Sequence, residues 1–212
     1  MDKTIELVAL WGKFLKQHPE ATIDDFCRHH LIHQRESENK GKLVGGVVPM
    51  TTDGLLMKVV GRIYKLHMNY ATSALKGTPL DQIEEFSLIA TIRQQKNPRK
   101  SELIYTNLIE LSSGIDILNR LKKKGLIEEV DDMADKRSKR VLLTPDGEKA
   151  MEICLKRILK LAKMLLLEMP EDDKQLCIQL LKHVEIKFSA LVQQHKGVDF
   201  DTVYSQVLDA VV

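Results

Sequence analysis

The sequence predicts a mainly α-helical fold carrying one small β-hairpin. Three features predict it. Apolar residues recur at helical spacing in long segments on either side of the centre. Two short β-branched runs, residues 126–130 and 140–144, flank a polar, basic stretch. Prolines, glycines and capping residues fall where these segments must stop or start.

The elements follow in order. Residues 4–17 carry Ile5, Val8, Trp11, Phe14 and Leu15 at amphipathic spacing, and Pro19 ends that helix. Thr22 is a plausible N-cap for a short second helix, with Asp24 and Asp25 in its first turn. Residues 34–49 are polar, then glycine-bearing, and are expected to form a loop or linker. A long helix is predicted over residues 52–76, with Leu56, Val59, Ile63, Leu66, Tyr70 and Ala74 in one stripe. Gly77-Thr-Pro stops it. Residues 80–95 form the next helix, broken by Asn97-Pro98.

Ser101 can cap a short helix through Leu108. Leu111-Ser-Ser-Gly is expected to be a turn, followed by a helix over residues 113–124. In that helix Ile115, Leu118 and Leu121 face one way, and Asp116, Asn119, Arg120 and Lys123 face outward. Gly125 suits its C-terminal end. The two strands come next, joined by nine residues from Asp131 to Lys139. Thr144-Pro145 is an N-cap with proline at the first helical position, opening a helix to about residue 168. Pro170 breaks it. A last long helix covers residues 171–194, and the tail after Gly197 has room for one more.

Charge narrows the function. The net charge is +2, with 29% charged and 5% aromatic residues, so the chain is no polycation. Between Arg93 and Arg140, however, 12 Lys/Arg face 8 Asp/Glu. The rest of the chain is therefore slightly acidic, and the positive charge is concentrated at the centre. A solvated face explains any single lysine run, so the charge acquires meaning only together with the elements around it.

Those elements suit DNA. A helix enters the major groove when short hydrogen-bonding side chains lie near its N-terminus. Ser112, Ser113 and Gly114 provide them. Asn119 can bond bidentately to adenine, while Arg120 and Lys123 can reach phosphates or guanine. The hairpin tip adds Lys136, Arg137, Lys139 and Arg140, with Asp135 just before them to brace Arg137 or the backbone turn.

The run SSGIDILNRLKKKGLI (Ser112 to Ile127), then Asp135-Lys-Arg137, then VLLTPDG (Val141 to Gly147), resembles the winged helix-turn-helix of the MarR family of bacterial transcriptional regulators. Gly-Leu-Ile after the recognition helix, Asp-x-Arg at the wing and Leu-Thr-x-x-Gly at the exit carry the resemblance. Flanking helices extend it over about residues 52–194. The domains expected are a helical extension and linker (1–50), a dimerisation helix (51–79), the winged helix-turn-helix (80–147), C-terminal dimerisation helices (148–196) and a tail (197–212).

The resemblance implies a cytoplasmic homodimer on double-stranded DNA with a palindromic operator. A repressor is expected, released by a small-molecule effector or an oxidant. It implies that Arg137 is the wing arginine and Asp135 its structural partner. Asp116 departs from the pattern, because many members carry a basic or neutral DNA-contacting residue there. An acid near phosphates costs affinity unless it accepts from a cytosine amino group or pairs with an arginine. The alternative is a winged helix serving only as a protein-interaction module.

Other chemistry is not expected. No glycine-rich loop follows a strand, and no Ser/His/Asp set is recognisable, so neither an enzyme nor a cofactor is predicted. The three cysteines form no CxxC pair. His18, His29, His30 and His33 with Cys27 invite a metal reading, but no second motif completes a tetrahedral set. Cys27, beside Arg28, is a candidate redox sensor, since nearby positive charge favours a thiolate. Cys154 and Cys177 are expected as small core residues. The N-terminus lacks the basic-then-apolar order of a signal peptide, and residues 158–167 are too short and lysine-interrupted to span a bilayer.

Overall fold

In the computed structural model, residues 2–38, 45–135 and 137–210 are described. The chain divides into two compact units, residues 1–59 and 60–212. The first contains helices α1 (Lys3–Gln17) and α2 (Ile23–Glu38). Asp2 caps α1 by accepting from Thr4 N at 2.9 Å. At α2 the capping is reciprocal: Thr22 Oγ1 accepts from Asp25 N at 3.2 Å, and Asp25 Oδ2 accepts from Thr22 N at 2.9 Å. The Thr22 hydroxyl, donating to Asp25 Oδ2 at 2.6 Å, then the Thr22 N–H and Arg28, hold the Asp25 carboxyl at about 2.

The two helices meet through rings. Trp11 packs edge-on to Phe26 at 5.2 Å, and Phe14 lies 5.6 Å from Phe26. His18 and His29 flank Phe14, and His29 lies 4.2 Å from His33. Burial in this cluster, then the neighbouring imidazoles, lowers the pKa of His29. Helix α2 is longer than the sequence suggests, since residues 34–38 continue it. Their polarity reads as loop because most of α2 faces solvent.

Helix α3 (Thr52–Leu75) runs across the division between the units. The second unit continues with α4 (Ile83–Gln95), α5 (Lys100–Thr106), α6 (Leu111–Lys123), β1 (Ile127–Asp131), β2 (Lys139–Leu143), α7 (Pro145–Leu165), α8 (Glu171–Leu191) and α9 (Phe200–Asp209). Leu88, Ile89, Ile104, Leu118, Leu121, Val141 and Cys154 are completely buried in its core. Cys154 is thus the core cysteine expected, whereas Cys177 is exposed on α8.

β1 and β2 pair antiparallel, from Ile127 opposite Leu143 to Asp131 opposite Lys139. Arg99, just before α5, adds an isolated bridge to Arg140. Thr144 locks the hairpin to what surrounds it. Its hydroxyl donates to Gly125 O at 2.6 Å and accepts from Gly147 N at 3.0 Å, while Thr144 N donates to Leu126 O at 3.1 Å. Gly125 ends α6 with φ 71°. A Cβ on Gly147 would lie 2.0 Å from Leu126 O, so only glycine fits there. The Gly-Leu-Ile and Leu-Thr-x-x-Gly segments are thus two sides of one joint.

Among the described residues no helix is long and apolar enough to cross a membrane. Helix α8, of 21 residues, buries none of them, leaving Leu176, Leu180, Leu181, Val184 and Phe188 exposed.

Candidate nucleic-acid interface

The turn before α6 falls earlier than the sequence suggests. Leu111-Ser-Ser-Gly is the first turn of α6, and the connection is residues 107–110. Leu108 takes φ 53°, and Ile109 N donates to Ile104 O at 3.2 Å. A left-handed residue there would ordinarily be glycine or asparagine, so a leucine hides the turn. Glu110 is the N-cap but makes no side-chain cap. Its carboxylate instead pairs with Lys196 at 3.2 Å.

Helix α6 sorts the expected DNA-contacting residues into three groups. Ser112, Asp116, Asn119 and Lys123 are exposed and lie along the face opposite the buried Gly114, Ile117, Leu118 and Leu121. None of these four exposed side chains has a partner among the described residues. Ser113 is also exposed, on the flank toward α4.

Gly114 is different. It is buried, its N–H closes the first helical turn on Glu110 O at 2.8 Å, and a Cβ would meet Ile104 Cγ2 at 2.5 Å. Its backbone faces α5, so the expectation that it presents itself to DNA is corrected: its smallness serves close packing of α5 on α6. Arg120 forms the third group. Its guanidinium donates to Gln82 Oε1 at 2.8 Å and lies 3.4 Å from Glu85 Oε1, so the arginine is committed to α4 and not left free for phosphate or guanine. Glu85 is 1% exposed and also receives Lys124 at 3.0 Å. Sequence reading missed this buried acid because it looks like one more charge on a solvated helix.

The wing is braced through its acids. Asp135 Oδ1 accepts from Arg137 N at 3.0 Å and Oδ2 from Ser138 Oγ at 2.8 Å. The Ser138 bond first, then the Arg137 N–H, hold its carboxyl below the ordinary value. Asp135 therefore braces the backbone turn, the second of the two roles expected for it, and the Arg137 side chain is exposed. Lys139 pairs with Asp131 across the strands. Lys136, also expected to contact DNA, lies outside the described residues.

A residue not singled out in the sequence anchors the wing. Asp132 is 2% exposed, and its carboxylate accepts from Ala134 N at 3.0 Å and Arg99 Nε at 2.6 Å, with Arg140 Nη2 at 3.2 Å. These contacts, the Ala134 N–H foremost, hold its carboxyl at about 2. Glu129 similarly joins Lys100 and Lys122 at 2.7 and 2.8 Å. The local basic surplus is therefore partly consumed within the domain.

A cavity of about 830 Å³ opens between α3, the start of α4 and α6. Tyr64, Met68, Gln82, Glu84, Ser113 and Arg120 are among its lining residues, and Asp116 lies on its α6 side. In the other unit Cys27 is exposed, and the cation beside it, Arg28, is paired with Asp25 at 2.9 Å. Among the described residues no group of three or more His, Cys, Asp or Glu is arranged to hold a metal ion.

Residues 84–147 match the winged helix DNA-binding domain family. The sequence matches no curated protein. Among solved structures, a MarR mutant from E. coli complexed with operator DNA is similar at 25% identity, with a TM-score of 0.56 over 61% of this chain and 92% of that one. The PcaV transcriptional regulator from Streptomyces coelicolor, in complex with its natural ligand, shares the fold at 18% identity and a TM-score of 0.52, over 66% of this chain and 96% of its own. A MarR protein from Peptoclostridium difficile does so at 16% identity and a TM-score of 0.62, over 70% and 96%. The expected recognition helix and wing lie inside the matched domain, and the fold around them is that of the MarR structures: residues 84–147 belong to the winged helix DNA-binding domain family, and the chain carries them in a MarR-like fold.

Proposed function

We propose that the chain acts as a homodimeric repressor on a palindromic operator. The observation that carries the dimer is α8, none of whose 21 residues is buried within the chain while Leu180, Leu181, Val184 and Phe188 stay exposed. An apolar helix face of that length is stable in water only when something covers it. A second copy related by a two-fold axis covers it in kind and sets two recognition helices about one DNA turn, roughly 34 Å, apart. Ser112, Asn119 and Lys123 then face the groove, and Arg137 on the wing reaches the adjacent backbone or minor groove.

The cavity against α6 is the place for a small-molecule effector. A ligand there touches Ser113 and Arg120 of the recognition helix and Tyr64 and Met68 of α3, so it can shift one against the other. PcaV with its natural ligand gives a precedent for a ligand on this fold. Differential affinity for the two arrangements is what would release DNA.

The test is selection of bound fragments from random duplex DNA by the full chain, with the mass of the complex measured alongside. Expected are a palindrome, two protomers per site and affinity falling steeply with salt. Failure to enrich any sequence would favour the alternative, a winged helix that only binds other proteins.

A further inference from the structure

Asp116 is an acid in the middle of a surface otherwise suited to an anionic partner. It lies one helical turn after Ser112 and one turn before Asn119, on the exposed face of α6. The arginine within i,i+4 reach is Arg120, and the structure removes it from play. Its guanidinium is held by Gln82 at 2.8 Å and by the buried Glu85 at 3.4 Å. Among the described residues Asp116 makes no hydrogen bond or ion pair. Of the two ways an acid can be tolerated there, pairing with a neighbouring arginine is therefore not the one used within the chain.

What remains is set by the chemistry of the groove. An ionised carboxylate only accepts hydrogen bonds, and it is repelled by phosphates. Amino groups are the major-groove donors, on cytosine and adenine. Adenine places its N7 acceptor beside that amino group, so a carboxylate approaching there meets a second lone pair. Cytosine offers N4–H₂ without an adjacent acceptor on the same base. We infer that Asp116 is a specificity-determining residue that reads the amino group of one cytosine in each half-site. The inference rests on the operator-binding reading above. It makes the acid a filter: it weakens binding to DNA in general and spares sites with a cytosine at that position.

The experiment is selection from random DNA with the wild-type chain, Asp116→Ala and Asp116→Asn under the same salt. Binding to a duplex of unrelated sequence is measured in parallel. The wild type should enrich one cytosine per half-site that Asp116→Ala no longer requires. In Asp116→Asn the preference at that position should move toward adenine, which suits a carboxamide. Replacing the cytosine pair should cost the wild type about tenfold in affinity and Asp116→Ala little. Both variants should bind unrelated DNA as tightly as the wild type or more tightly, an outcome that a folding defect would not give. An enriched operator whose base preferences are the same in all three proteins would overturn the inference and leave the operator-binding reading standing. If the wild type enriches nothing, both fall together.

Discussion

The Asp132 carboxylate accepts from Arg99 at 2.6 Å and from Ala134 N at 3.0 Å while being 2% exposed. It ties the segment before α5 to the wing, and so fixes where the hairpin projects. Its pKa falls from 3.8 to about 2 on folding. A carboxyl with a depressed folded pKa stabilises fully above its unfolded value and ceases to do so as pH falls through the folded one. Asp132→Asn should therefore lower the melting temperature at neutral pH. The gap from wild type should narrow between about pH 4 and pH 2. Thermal melts across that range check it, and a gap that is unchanged at the acid end would remove the carboxylate charge from the explanation. Nothing in the sequence marks Asp132 off from Asp131, because its arginine partners are identified only by the fold.

At the scale of elements, the helix-turn-helix depends on how closely α5 and α6 approach. Ile104 is completely buried, and the side chain that Gly114 lacks would lie 2.5 Å from it. Ile104 branches at its own Cβ and is packed within the core cluster. Gly114→Ala gains helix propensity of roughly 1 kcal/mol, but forcing the methyl into this contact costs about 1–3 kcal/mol. The net expectation is destabilisation by up to about 2 kcal/mol, read from denaturant unfolding. A more stable variant would show that the two helices can part without cost. Element order and most boundaries were legible because periodicity, Thr144 capping and Gly125 termination act locally. The turn before α6 was not, since Leu108 adopts a backbone conformation its side chain does not advertise. Residues 34–38 read as loop for the converse reason: a polar helical segment carries little apolar periodicity.

At the scale of the whole molecule, the winged-helix core is assembled from residues 75–154, whereas α1 and α2 pack on each other through Trp11, Phe14 and Phe26. Deleting residues 1–35 should leave a folded protein that keeps the DNA binding and the dimerisation proposed above for the full chain. Circular dichroism, sedimentation and a DNA-binding titration check this, and loss of the dimer would place the N-terminal helices in its interface. By itself the sequence determined the succession of helices, the wing, Gly125 as a helix end and Thr144 as a helix cap, because each depends on residues close along the chain; that Gly125, Thr144 and Gly147 meet in one joint is a result of the fold. Only the tertiary structure decided which polar side chains of α6 are available. Gln82 and Glu85, which take Arg120, lie 38 and 35 residues before it, and hydrogen bonds at that separation leave no local pattern to read. That commitment leaves Asp116 exposed and unpaired among the described residues, and Gly114 turned inward.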